Sequence, residues 1–155
     1  VQKTHFDELD RRILTQLQAD ASLSNVALAA RVHASPATCL RRVARLRKLG
    51  VIERQVALLD PAQVGEGVTL VLEITLDSQA DEVLTAFERA FVADPAVQQL
   101  YRMMAGPDFV AVVWLPQVSH YADWARRQLS AGLRVRQVRS YTVARRAKFL
   151  PAISL

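Results

Sequence analysis

At 155 residues, with 51% hydrophobic and 23% charged side chains, the chain has room for one domain with a sizeable core or two small ones, and enough apolar content to offset ordering entropy. Its longest apolar run, Phe109 to Leu115, is far too short to span a bilayer, and VQKTHFDELD carries no apolar signal region, so a cytoplasmic protein without membrane contact is expected. The single cysteine, Cys39, excludes an internal disulfide, and His5, His33 and His120 are too scattered for a local metal motif; the net charge of +5 is modest, but its distribution is not.

The first third reads as helices. In FDELDRRILTQLQAD, Leu9, Ile13, Leu14 and Leu17 recur at helical spacing. Ser24 is an N-cap for NVALAARV, with Val26, Ala29, Ala30 and Val32 expected to face inward. His33 and Ala34 form a tight connection to a third helix, capped by Ser35, opened by Pro36 and closed by Gly50. Three helices with a short turn between the last two make a helix-turn-helix, and VIERQVALLD supplies a strand or small wing behind it. DPAQVGEG has no amphipathic period and is expected to be a linker.

The second half changes character. VTLVLEITL alternates as a strand; Ala80 to Val92 puts Val83, Leu84, Phe87, Ala90 and Phe91 on one helical stripe ended by Asp94-Pro95. VQQLYRMM and FVAVVWL are strands about an AGPD turn. Val118, Tyr121, Ala122, Ala125 and Leu129 mark another helix, and LRVRQVRSYTV a last strand. The order β-α-β-β-α-β predicts a ferredoxin-like sheet with helices on one face only. Apolar residues on both faces of two strands predict that a second copy covers the other face. The fold class is thus α+β: a three-helix winged helix-turn-helix domain (1–58), a linker strand (59–67), and a ferredoxin-like effector-sensing and oligomerisation domain (68–155).

Between Arg31 and Arg54 lie seven cations against one acid, Glu53, a net of +6, whereas residues 1–30 sum to −1. A solvated helix face normally mixes signs, so this concentration points to a polyanion. On a helical wheel with Leu40 at the origin, Thr38, Arg41, Arg42, Arg45 and Lys48 fill one polar sector of about 120°, and Leu46, Cys39, Val43, Leu40 and Ala44 the opposite side. Arg47 falls outside that sector, reaching sideways from the core edge. Arginine suits both phosphate and the guanine edge, and the start of a recognition helix enters the major groove. The expected DNA-binding set is therefore Ser35, Thr38, Arg41, Arg42, Arg45 and Lys48. Ser35 has a second reading as a plain N-cap, and Cys39 is read as a small core residue.

LDRRIL, LSNVALAARV, SPATCLRRVARLRKLGVI, ALLDPAQVG and EITL, collinear from Leu9 onward, resemble the Lrp/AsnC (feast/famine) transcription regulators of bacteria and archaea. The resemblance implies sequence-specific binding of double-stranded DNA, modulation by a small-molecule effector that is commonly an amino acid, and homo-oligomers: dimers associating into an octamer of four dimers. Two positions depart from the family pattern. His33 stands where a glycine is usual, and Ala105 replaces the glycine of a G-x-x-D-Y turn. That turn, Ala105, Gly106, Pro107 and Asp108, with Ser140 and Thr142 on the last strand, is the effector-binding set the resemblance implies. Asp108 is read equally as a turn residue satisfying its own backbone. An architectural DNA-binding protein with little sequence preference is the alternative. No triad, metal cluster or phosphate-binding glycine loop favours an enzyme, and no cofactor is expected.

Overall fold

The computed structural model describes residues 5–65, 67–129 and 131–155. Lys3 of the opening charge count and Glu66 of the expected linker lie outside them. Two compact units result, Val1–Leu58 with Lys148–Leu155, and Leu59–Ala147.

The first unit holds α1 (Glu8–Ala19), α2 (Asn25–Arg31) and α3 (Pro36–Lys48). Each helix starts on a side-chain cap: Asp7 accepts from the Asp10 amide, Ser24 from Ala27 and Ser35 from Thr38. Their core is Ile13, Leu14, Leu28, Ala29, Val32, Cys39, Val43 and Leu46. The α2 stripe differs from expectation, because Leu28 is buried while Val26 is 66% exposed and Ala30 lies outside. The buried sequence Leu28, Ala29, Val32 is the i, i+1, i+4 row that faces α1 and α3.

The α2–α3 turn is a Schellman-type closure. His33 takes φ 53°, its N–H donates to the Ala30 carbonyl at 3.3 Å, and the Ala34 N–H reaches Ala29 at 3.0 Å. A histidine thus occupies a left-handed position, at the place where the resembled family usually carries glycine. Gly50 (φ 70°) closes α3 by the same pattern, with Val51 N–H donating to the Leu46 carbonyl at 3.0 Å.

Two segments depart from the sequence reading. No strand forms between Val51 and Asp60, since this stretch has no ladder partner among the described residues; and the expected linker contains one helical turn, α4 (Pro61–Val64), opened by Pro61. The C-terminal residues 148–155, expected to continue the second domain, cluster with the first unit. There the Gln18 amide clamps Ile153, donating to its carbonyl at 2.9 Å and accepting from its N–H at 2.6 Å.

The second unit is a four-stranded antiparallel sheet, β1 (Val68–Leu76), β2 (Val97–Arg102), β3 (Phe109–Leu115) and β4 (Val135–Thr142), in the order β2-β3-β1-β4. Helices α5 (Asp81–Val92) and α6 (Tyr121–Gln128) connect it as βαββαβ. Alternate residues of β1 and β3 are buried against the helices, with Phe87 stacked between Phe91 (4.3 Å) and Phe109 (4.7 Å). Trp124, absent from the expected α6 stripe, is buried and donates from its indole N–H to Asp94 at 2.9 Å; Val118 and Ala122, placed on that stripe, are exposed. The opposite face of the sheet carries half-buried Val71, Val110, Val112 and Trp114, with Tyr101 and Tyr141 exposed beside them.

Candidate functional site

Sequence alone placed Arg41, Arg42 and Arg45 on one surface, and the structure separates them. The buried stripe of α3 is Cys39, Val43 and Leu46, whereas Leu40 is 61% exposed and Ala44 is also outside. The helix is therefore rolled, relative to the wheel, so that Arg42 moves toward the core and Leu40 away from it.

The cause of the roll lies in α1. Asp10 is fully buried on the same stripe as Ile13 and Leu14, and a buried carboxylate must be paired. Arg45 forms an ion pair with one of its oxygens, and Arg42 reaches the other at 3.3 Å. Arg42 also holds Asp7 at 2.5 Å. The Asp10 amide, then the Arg42 guanidinium, keep the Asp7 carboxyl below its ordinary range; Asp7 in turn raises Arg42. These two arginines brace α3 against α1.

Of the remaining expected contacts, Ser35 is the α3 N-cap: its Oγ accepts from the Thr38 N–H at 3.2 Å and donates to Thr38 Oγ1 at 2.9 Å. Arg47 reaches sideways to the Gln55 side-chain oxygen at 2.6 Å, as its place on the wheel implied. Arg41 and Lys48 are exposed and make no ion pair or hydrogen bond among the described residues. Burial raises the Cys39 thiol, which keeps it an inert core residue.

The effector set is not gathered within one chain. Ala105 and Gly106 (φ 85°) are exposed on the turn that enters β3, while Ser140 and Thr142 lie on β4, and β1 runs between β3 and β4. Asp108 is buried and engaged: its carboxylate accepts from the Leu76 N–H at 2.7 Å and from the Gln79 amide at 2.5 Å. It thus fastens the β2–β3 turn to the end of β1, a long-range version of the turn role read for it. Ser140, paired opposite Leu72 on the helix-covered face, is hydrogen-bonded to the Tyr121 hydroxyl. Among the described residues no group of His, Cys, Asp and Glu could hold a metal ion.

Two family models match this arrangement, a winged helix-turn-helix DNA-binding model over residues 6–53 and the Lrp/AsnC ligand binding domain over 69–153. The chain belongs to the Lrp/AsnC family. The leucine-responsive regulatory protein of Escherichia coli K12 is 33% identical over 143 residues, covering 92% of this chain and 87% of that protein. An AsnC family transcriptional regulator from Agrobacterium tumefaciens superposes with a TM-score of 0.88 at 34% identity, over 96% of this chain and 97% of the other. A transcriptional regulator from Neisseria meningitidis, solved in complex with L-Met, shares the fold at 24% identity (TM-score 0.87, 97% of both chains). This Lrp/AsnC protein is a ligand-modulated DNA-binding transcription regulator, its DNA-binding unit leading and its ligand-binding domain following.

Proposed function

We propose that the chain recognises specific operator sequences through the outward face of α3, with residues 1–58 reading DNA and residues 68–155 sensing an amino acid and assembling the oligomer. The observation that carries this reading is the pairing pattern on α3. Arg42, Arg45 and Arg47 are engaged within the protein, whereas Arg41 and Lys48 project free from a face that holds no acid. Arg41 is placed for a base or phosphate and Lys48 for phosphate, with Ser35 and Thr38 at the helix start beside them. Arg42 and Arg45 act indirectly, by fixing the angle at which that face is presented.

The effector reading follows from the divided set. Ala105–Asp108 on one side of β1 and Ser140 and Thr142 on the other form a joint site only when a second chain brings one group to the other. Binding across subunits couples ligand to assembly, because the ligand then favours one assembly over another. The half-buried open sheet face supports a dimer, and dimers linked as four pairs into an octamer would present several reading heads, with affinity raised through effective concentration. This role is a binding one, without catalysis, and its place is the cytoplasm, where chromosomal DNA lies; among the described residues no helix is long and apolar enough to cross a membrane.

The test is a competition gel shift with an operator selected from random DNA, challenged by unrelated duplex. A specificity ratio of about 10³ or more supports an operator-reading regulator, and a ratio near one favours the architectural alternative.

A further inference from the structure

The roll of α3 exposes an apolar residue where DNA recognition takes place. Leu40 is 61% exposed although it lies in the middle of a helix whose other two leucine or valine stripe members, Val43 and Leu46, are buried. Leucine in that position is not needed for the core. Ala37 and Ala44, one turn to either side, are exposed as well. Together with Arg41 and Lys48 they follow the spacing i, i+3, i+4, i+7, i+11, which is a single continuous stripe on a helix. The stripe lies on the side of the helix away from Cys39, Val43 and Leu46, with Lys48 and Arg41 most nearly opposite them and Leu40 at its edge. The exposed side of α3 is therefore an aliphatic strip, Ala37, Leu40 and Ala44, bordered by two free cations, Arg41 and Lys48, rather than the wall of arginines the composition suggests.

We infer that Leu40, flanked by Ala37 and Ala44, is a specificity-determining residue that reads thymine methyl groups, with Arg41 beside it reading guanine or holding phosphate. The inference rests on the reading of α3 as the DNA-contacting helix and adds to it the chemistry of the base contact. In the major groove only thymine offers an apolar group, its 5-methyl, and aliphatic side chains discriminate by covering it. Ala37 and Ala44 have no reach beyond Cβ, so they allow the helix to approach closely while Leu40 fills the gap. Arg41, adjacent to Leu40 in sequence and unpaired, supplies the electrostatic attraction that an aliphatic strip lacks.

The experiment replaces thymine by uracil, position by position, in the selected operator, which removes the methyl and leaves every hydrogen-bonding group in place. The wild-type chain is expected to lose about fourfold in affinity at one or two thymines, the scale of one buried methyl. Leu40→Ala should bind the normal operator more weakly and be indifferent to uracil at those same positions. Leu40→Gln, which leaves the core untouched, should shift selection from thymine toward adenine at that step. A wild-type chain that discriminates its operator but tolerates uracil everywhere overturns this inference while leaving the regulator reading intact. Leu40→Ala retaining the full uracil penalty overturns it too, and no discrimination by the wild type overturns both.

Discussion

The Arg42 guanidinium lies 2.5 Å from the Asp7 carboxylate and 3.3 Å from that of buried Asp10, so a residue of α3 is fastened to the cap and first turn of α1. A pair of this kind couples two helices, and its signature is non-additivity. Asp7→Asn keeps a competent N-cap and removes only the charge; Arg42→Gln removes the partner. Each single change should lower the melting temperature followed by circular dichroism, and the double variant should melt little below the worse single. Strictly additive losses would mean that the pair contributes no coupling.

The acid limb of the stability curve should carry the same pair. Asp7 is held below its ordinary value of 3.8, first by the Asp10 amide and then by Arg42, so folding favours its ionised form. A carboxyl depressed in the folded state adds stability that is complete above its unfolded value. That stability fades as pH falls through 3.8 toward the lower folded value. Asp20, depressed by the Ser22 hydroxyl and amide, acts in the same direction. Urea melts between about pH 2 and 6 should therefore show a shallower acid limb in Asp7→Asn than in the wild type. Parallel limbs would contradict the assignment.

His33 holds φ 53° at the turn between α2 and α3, a region that costs a residue with a side chain about 1 kcal/mol or more. His33→Gly should stabilise the chain by about 1 kcal/mol, raising the melt by roughly 2–4 °C for a protein of this size. A lower melting temperature would show that the imidazole contributes more than the backbone strain removes.

Asp108 separates two roles that sequence left equal. Because its carboxylate accepts from Leu76 and Gln79, Asp108→Ala should cost about 1–3 kcal/mol in the second unit with or without ligand. In a thermal-shift screen of the twenty amino acids, the wild type should be raised by at least one. Asp108→Asn that melts like the wild type but no longer responds would instead make Asp108 a direct ligand contact.

The sequence was most legible where periodicity decides structure. VTLVLEITL alternates except at Val71, FVAVVWL is a short apolar run bounded by turn residues, and the caps Ser24 and Ser35 with Gly50 mark helix ends by local chemistry, so strands, helices and the βαββαβ order could be read from the sequence. The face of α3 was less legible, because a wheel weighs only the helix's own residues, and its orientation depends on Asp10 of another helix. One signal was present: in LDRRIL an acid occupies the same helical stripe as Ile13 and Leu14, a core position that demands a cationic partner. Trp124 was missed because α6 was read along Val118, Tyr121, Ala122, Ala125 and Leu129, though it follows Tyr121 by three residues. The docking of Ile153 on Gln18 has no periodic signature, since it depends on an extended segment meeting one amide.

The most direct test of the account compares how operator affinity depends on salt in Arg41→Ala and Arg42→Gln, by fluorescence anisotropy on the whole chain of both domains. If Arg41 faces DNA and Arg42 braces α1, Arg41→Ala should reduce the slope of log K against log salt by about 1, the loss of one phosphate-scale contact, or weaken binding through a lost base contact at the same assembly state. Arg42→Gln should weaken binding with the slope unchanged. A slope that falls in Arg42→Gln, with both slope and affinity unchanged in Arg41→Ala, would contradict the assignment of the two arginines.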